Sequence, residues 1–399
     1  MKKSLLALAT LGAFAGAAQA QSSVSVYGVM DASYTGIESN VTTTAGAKTT
    51  VSNRNTVNGD GGLSTSRLGF RGVEDLGGGL SAQFVLEYDL INIGTGGTGD
   101  AGAQAATGTS GASTSTSRGF GPRYSYIGLS NKALGTLRLG RQEAPIHGVV
   151  AGNLAGGANN VLGSLYSGLD SVNQLTSAQS PSVRPHDVFV DNAVTFISNN
   201  MNGVTVQLQT AQNAHSASQT TPSAGTQVSG GSIGYTGVKN LNVGFGYLVS
   251  GVTTANTSNI KRTTSALGAN YDFGVAKLFV VHTNNKIESL NLLTNKVLGD
   301  TKLTEVGVNA PLSKVINVFG SYFTGTRSTQ SGSTTVVASN TAASSAADAK
   351  GFQLGTTYAF SKRTTAYGIY GTQEIKGKNE ANGAKVDGNM FSLGLRHSF

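Results

Sequence analysis

The segment Leu80 to Leu90 alternates with a period of two. Leu80, Ala82, Phe84, Leu86, Tyr88 and Leu90 fall on one face, and Ser81, Gln83, Val85, Glu87 and Asp89 on the other. An extended strand separates side chains in this way. The C-terminus repeats the pattern. Phe391, Leu393, Leu395 and Phe399, with His397 among them, oppose Ser392, Gly394, Arg396 and Ser398. About sixteen such segments are marked, near 23–36, 66–75, 80–92, 123–131, 135–144, 191–199, 203–213, 226–237, 241–252, 263–273, 274–288, 302–311, 313–328, 350–361, 362–376 and 389–399. No stretch outside the N-terminus approaches the roughly 20 continuous apolar residues that a membrane helix needs.

Charged residues make up only 12% of the 399, against about 25% in an ordinary soluble domain. So low a charge points to a membrane. In lipid every backbone N–H and C=O must be bonded internally, which leaves helices or closed barrels. A barrel needs apolar side chains only at alternate positions, which accounts for a mean hydropathy of −0.07. A secreted sandwich or solenoid is the soluble competitor, and composition alone does not separate the two. The chain has no cysteine, so it has neither disulfides nor cysteine metal sites. At the N-terminus, Lys2 and Lys3 precede the short apolar stretch Leu5 to Ala18 and the A-x-A sequence Ala18-Gln19-Ala20. This predicts a cleaved export signal over 1–20 and one barrel over 21–399.

The spacing of the connections is a second signal. Short turns such as Asp75 to Gly79, Asn131 to Leu134, Asn199 to Asn202, Gly237 to Asn240, Asp272 to Gly274, Ala310 to Ser313 and Ala359 to Ser361 carry Gly, Asn, Asp and Ser, as tight turns require. Longer connections, roughly 37–65, 93–122, 145–190, 214–225, 253–262, 289–301, 329–349 and 377–388, alternate with them. Outer-membrane barrels show this parity because their two rims face different compartments. A soluble sandwich has no reason to obey it.

Several blocks then resemble the general porins of Gram-negative bacteria, in particular the trimeric sixteen-stranded porins of beta-proteobacteria. They are Ser23-Val24-Ser25-Val26-Tyr27-Gly28-Val29-Met30-Asp31, the run Ser66 to Leu80 (SRLGFRGVEDLGGGL), Ile127-Gly128-Leu129-Ser130, Gly135-Thr136-Leu137-Arg138-Leu139-Gly140-Arg141, Ser361-Lys362-Arg363-Thr364 and Gly394-Leu395-Arg396-His397-Ser398-Phe399. They span the chain in order. The resemblance implies an all-β transmembrane antiparallel barrel with short periplasmic turns, long extracellular loops and a third loop folded into the pore. It also implies a homotrimer in lipid and lipopolysaccharide, passive diffusion of small ions and solutes, and Phe399 as the mark read by the barrel assembly machinery.

The third loop is 145–190, the longest connection, and a loop this long is usually functional. Arg67 and Arg71 share a parity, with Leu68, Phe70 and Gly72 on the other face. Charge at mid-depth on the lipid face costs roughly 2–4 kcal/mol, so both arginines should face the lumen. By resemblance Arg67, Arg123 and Arg141 match basic constriction positions. Arg141 shares a parity with Leu137 and Leu139, which only a bulge or an exit from the bilayer would reconcile. The family often has a basic residue three positions before Asn192, where this chain has Phe189, with Arg184 nearby. Only Asp170 and Asp187 are acidic between 145 and 190. The constriction is therefore expected to comprise Arg67, Arg71, Arg123, Arg141 and Asp170 and to be net positive, with a preference for small anions.

No catalytic elbow of the G-x-S-x-G type, no histidine metal spacing and no basic cluster with interleaved aromatics is found, so no cofactor, metal, catalytic residue or nucleic acid is expected. A barrel-anchored adhesin, a barrel enzyme and a more substrate-specific porin are the alternatives.

Overall fold

The computed structural model describes residues 23–42, 46–58, 61–90, 120–166, 188–212, 225–253, 259–291, 294–329, 345–378 and 385–399. The expected export signal, and most of the expected long connections, lie outside them. The described chain is almost all strand: β1 (Ser23–Thr42), β2 (Lys48–Asn58), β3 (Arg67–Gly77), β4 (Leu80–Leu90), β5 (Phe120–Asn131), β6 (Gly135–Glu143), β7 (Phe189–Ile197), β8 (Val204–Gln212), β9 (Gly225–Tyr235), β10 (Leu241–Thr253), β11 (Asn259–Asp272), β12 (Lys277–Asn291), β13 (Thr294–Pro311), β14 (Ile316–Thr329), β15 (Ser345–Ala359), β16 (Thr364–Gly377) and β17 (Lys385–Ser398). One seven-residue helix, α1 (Pro145–Ala151), follows β6.

The pairings are antiparallel, and β17 returns to β1, from Val29 opposite Ser398 to Thr42 opposite Lys385. That pairing closes the sheet and leaves no edge. β2 pairs with the second half of β1 and β3 with the first half. The seventeen strands therefore occupy sixteen positions around the barrel, as the alternation predicts. β2 is the addition, and it corrects the expected loop 37–65. Two further expected loops shrink. Residues 254–258 separate β10 from β11, and 292–293 alone separate β12 from β13, where 253–262 and 289–301 were expected. The strict parity of long and short connections therefore fails at β12–β13. Hairpins that continue past the lipid have water on both faces, so no apolar alternation marks them, although the backbone pairing persists. The short turns behave as expected. Asn131 Oδ1 accepts from the N–H groups of Ala133 and Leu134, and Asp272 Oδ1 from that of Gly274.

The outer surface is apolar. Leu267, Val280, Val306, Tyr322, Leu354, Tyr370 and Leu393, one each from β11 to β17, are exposed. An exposed apolar surface this continuous meets lipid rather than water. Near the short-turn rim, Tyr271 pairs with Phe273 and Tyr358 with Phe360, at 4.7 and 5.0 Å between ring centres. They form part of an aromatic girdle built without tryptophan.

The buried apolar core lies inside the barrel. Ile146, Val149, Val150, Leu154 and Leu165 pack against Ala211, Val228, Leu248, Ala266, Val281, Leu303, Phe323 and Ala349, which belong to eight successive strands, β8 to β15. Only a segment lying on the inner wall can touch so many strands. The third loop is thus folded inward over 144–166. Polar contacts fix its path. Gln353 on β15 and Asn159 exchange two amide hydrogen bonds of 2.6 and 3.0 Å. Gln353 Nε2 also donates to the carbonyls of Val161 and Leu162. Glu305 on β13 accepts from the Leu165 N–H at 2.5 Å and the Ser164 hydroxyl at 3.1 Å. Gly371 on β16 is required because a Cβ there would stand 1.7 Å from the Leu162 carbonyl oxygen.

A second inward segment, 61–66, corrects the expectation of a single long surface loop between β1 and β3. Ser64 N–H and Oγ donate to Asp31 Oδ2, Tyr367 Oη donates to Asp31 Oδ1 at 2.6 Å, and Gly62 N–H donates to Tyr367 Oη at 2.7 Å. Asn160 donates from its backbone to Gly62 and from its side chain to Gly61. The two inward segments are therefore joined to each other.

Candidate functional site

Across the barrel from the packed loop, β3, β4, β5 and β6 present charged and aromatic side chains. On β3 the register sets Arg67 opposite Asp89 and Gly69 opposite Glu87. Glu87 and Asp89 belong to the polar face of Leu80 to Leu90, and Glu87 is buried. Arg123 bridges both carboxylates, Nε to Glu87 at 2.7 Å and Nη1 to Asp89 at 3.1 Å, while Arg67 Nε lies 3.8 Å from Glu87. Among the described residues, the carboxylates facing these arginines come from the wall. Such shared, partly buried pairs hold guanidiniums in fixed positions.

Bulges decide how Arg123 and Arg141 are presented. Between Glu87 opposite Tyr124 and Tyr88 opposite Pro122, β5 carries one extra residue, Arg123. This turns its side chain to Glu87 and Asp89 regardless of simple alternation. Between Gly140 opposite Ala193 and Gln142 opposite Val190, β7 carries the extra residue beside Arg141. Asn192 in that bulge has φ 52°, a left-handed conformation that Asn tolerates better than most residues. Arg141 pairs with Asp191 and donates from Nε to the Pro122 carbonyl at 2.9 Å. The parity conflict at Arg141 is thus met by a bulge that the sequence does not display.

Phe189 explains the missing basic residue. Its ring lies 5.0 Å from the Arg123 guanidinium and 5.2 Å from that of Arg141, with Tyr124 edge-on at 5.5 Å. One aromatic ring therefore holds two cations through its negative face. Arg71 lies 5.3 Å from the Tyr27 ring. Arg396 on β17, which the alternation places on the polar face without a role, donates to Ser64 Oγ at 3.1 Å. Asp170, Arg184, His186 and Asp187 lie outside the described residues. Sequence reasoning missed Glu87 and Asp89 as partners. Their shared parity on β4, one strand from Arg67, was the available signal.

A closed antiparallel barrel, apolar outside, polar and arginine-lined inside, and narrowed by an inward segment, is a membrane channel of the porin class. The chain belongs to the Gram-negative porin family, whose model matches residues 6–378. It is 28% identical to outer membrane porin protein 32 of Delftia acidovorans and 27% identical to an outer membrane porin protein of Bordetella pertussis, each alignment covering all of both chains. In fold it is similar to the anion-selective porin from Comamonas acidovorans, with a TM-score of 0.66 and 22% identity over 95% of this chain and 100% of that one. It is likewise similar to OmpT of Vibrio cholerae in its trimer form, with a TM-score of 0.58 and 15% identity over 95% and 99%. The protein is an integral outer-membrane porin that opens a passage for small hydrophilic solutes.

Proposed function

We propose that this porin prefers anions and that Arg67, Arg71, Arg123 and Arg141 set the preference where the inward loop, with Asp170, narrows the lumen. The carrying observation is the imbalance of charge on the wall. Arg67, Arg71, Arg123, Arg138, Arg141 and Arg396 line the wall with Asp31, Glu87, Asp89, Glu143 and Asp191, six guanidiniums to five carboxylates. A fixed excess of positive charge on the low-dielectric wall of a water-filled lumen concentrates anions. The structurally similar porin from Comamonas acidovorans is described as anion-selective, which supports the same reading here. Assembly as a homotrimer in lipid and lipopolysaccharide, with insertion through recognition of Phe399, completes the proposal.

Proteoliposome swelling tests it. Liposomes carrying the protein should swell faster in the salt of a small organic anion with a bulky cation than in the salt of a small organic cation with a bulky anion. The opposite order would overturn the anion preference.

A further inference from the structure

One arginine on the inner wall is held in a way the constriction does not explain. Arg138 lies three residues beyond Gly135, where the short turn 132–134 ends. That is about 10 Å along the strand, and α1 enters at the strand's other end. Leu137 and Leu139 on either side of it are exposed to lipid, so Arg138 points inward. Its guanidinium carbon stands 4.8 Å from the Tyr126 ring. No carboxylate among the described residues is within salt-bridge range of it. Its Nε is fully buried and has no hydrogen-bond partner among the described residues. A buried charged donor without an acceptor is costly in a native protein.

The neighbours are donors too. The register sets Arg138 opposite Gly128, and Gly128 opposite Gln83. A Cβ on Gly128 would stand 3.2 Å from both Arg138 Cγ and Gln83 Nε2, so glycine is what lets both side chains close over this point of the wall. Ser130 and Thr136 flank it, their hydroxyls 2.8 Å apart, and the Gln83 amide reaches Ser130 Oγ only at 3.4 Å. Four side chains able to donate thus meet over Gly128, and no carboxylate among the described residues is bonded to any of them.

We infer that Arg138, Gln83, Ser130 and Thr136 around Gly128 form an oxyanion station on the short-turn side of the inward loop, which transiently holds carboxylate or phosphate solutes as they pass. This rests on the anion-preferring reading and deepens it. Tyr126 keeps the guanidinium in place while the pore is empty, and the oxyanion meets the part of the Arg138 side chain that is not buried.

The test is block of chloride current through the full-length protein in a planar bilayer, with succinate or inorganic phosphate as the probe. In Arg138→Gln the half-blocking concentration should rise about tenfold, the effect of losing one charge-assisted hydrogen bond, while Arg138→Lys retains most of the block. Gln83→Leu should weaken block by a smaller factor, and it serves if Arg138→Gln does not fold. Loss of succinate block alone identifies a carboxylate station, and loss of both a general oxyanion station. Block unchanged in Arg138→Gln and in Gln83→Leu, in a wild-type pore that favours chloride, would overturn the station and leave the anion preference standing. A wild-type pore that favours potassium yet loses succinate block in Arg138→Gln would sink the preference and keep the station.

Discussion

Arg67→Glu is expected to abolish the anion preference of the channel and turn it toward cations. The change replaces one positive charge by one negative charge beside Glu87 and Asp89, and leaves Arg123 facing three carboxylates. A unit charge about 5 Å from a passing ion in water-like surroundings is worth about 0.8 kcal/mol. A change of two units acts on anion and cation in opposite directions. Even after screening, which acts over about 8 Å at physiological salt, the permeability ratio should move at least about tenfold. The reversal potential of the variant in a potassium chloride gradient reads this directly. An unchanged potential would remove Arg67 from the filter. The exposed lysines on the outer face give the control, since Lys350 pairs with Glu374 away from the lumen, and Lys350→Glu should leave the ratio close to that of the wild type.

The second large effect is expected from Glu305→Ala. The carboxylate of Glu305 is buried on β13 and receives both the Leu165 N–H and the Ser164 hydroxyl. Removing it leaves two buried donors without an acceptor, at a cost of about 1–3 kcal/mol each, and also opens a cavity. The barrel ladder should survive, because its closure does not pass through Glu305. The end of the inward segment near Leu165 should leave the wall, and single-channel recordings should show a changed open level with frequent transitions. Glu305→Gln keeps one acceptor oxygen and should fall between the two. A conductance in Glu305→Ala as quiet as in the wild type would show that the Gln353–Asn159 pair holds the segment without it.

The sequence made the barrel legible wherever lipid and water impose opposite demands on neighbouring residues. Leu80 to Leu90 and Phe391 to Phe399 read as strands for that reason, and all sixteen marked segments correspond to strands. It did not reveal β2 or the outer part of β13, because polar residues on both faces of a strand leave no period to detect. Nor could it reveal the bulges at Arg123 and beside Arg141, since an inserted residue shifts the parity without leaving a composition signal. The inward turn of 144–166 was expected from length and resemblance. That of 61–66 was not, because the contacts that fix it, Asp31, Tyr367 and Asn160, come from distant parts of the chain. Phe189 shows the limit of carrying residues over by resemblance. The position holds no charge here, yet its ring lies 5.0 Å from the Arg123 guanidinium and 5.2 Å from that of Arg141.

The most direct test of the account is planar-bilayer recording of the purified wild-type protein, with the reversal potential measured across a potassium chloride gradient. Large stepwise conductance with a reversal potential on the chloride side is the predicted result. Large steps with a potential on the potassium side would contradict the assignment of a positive arginine wall as the selective element.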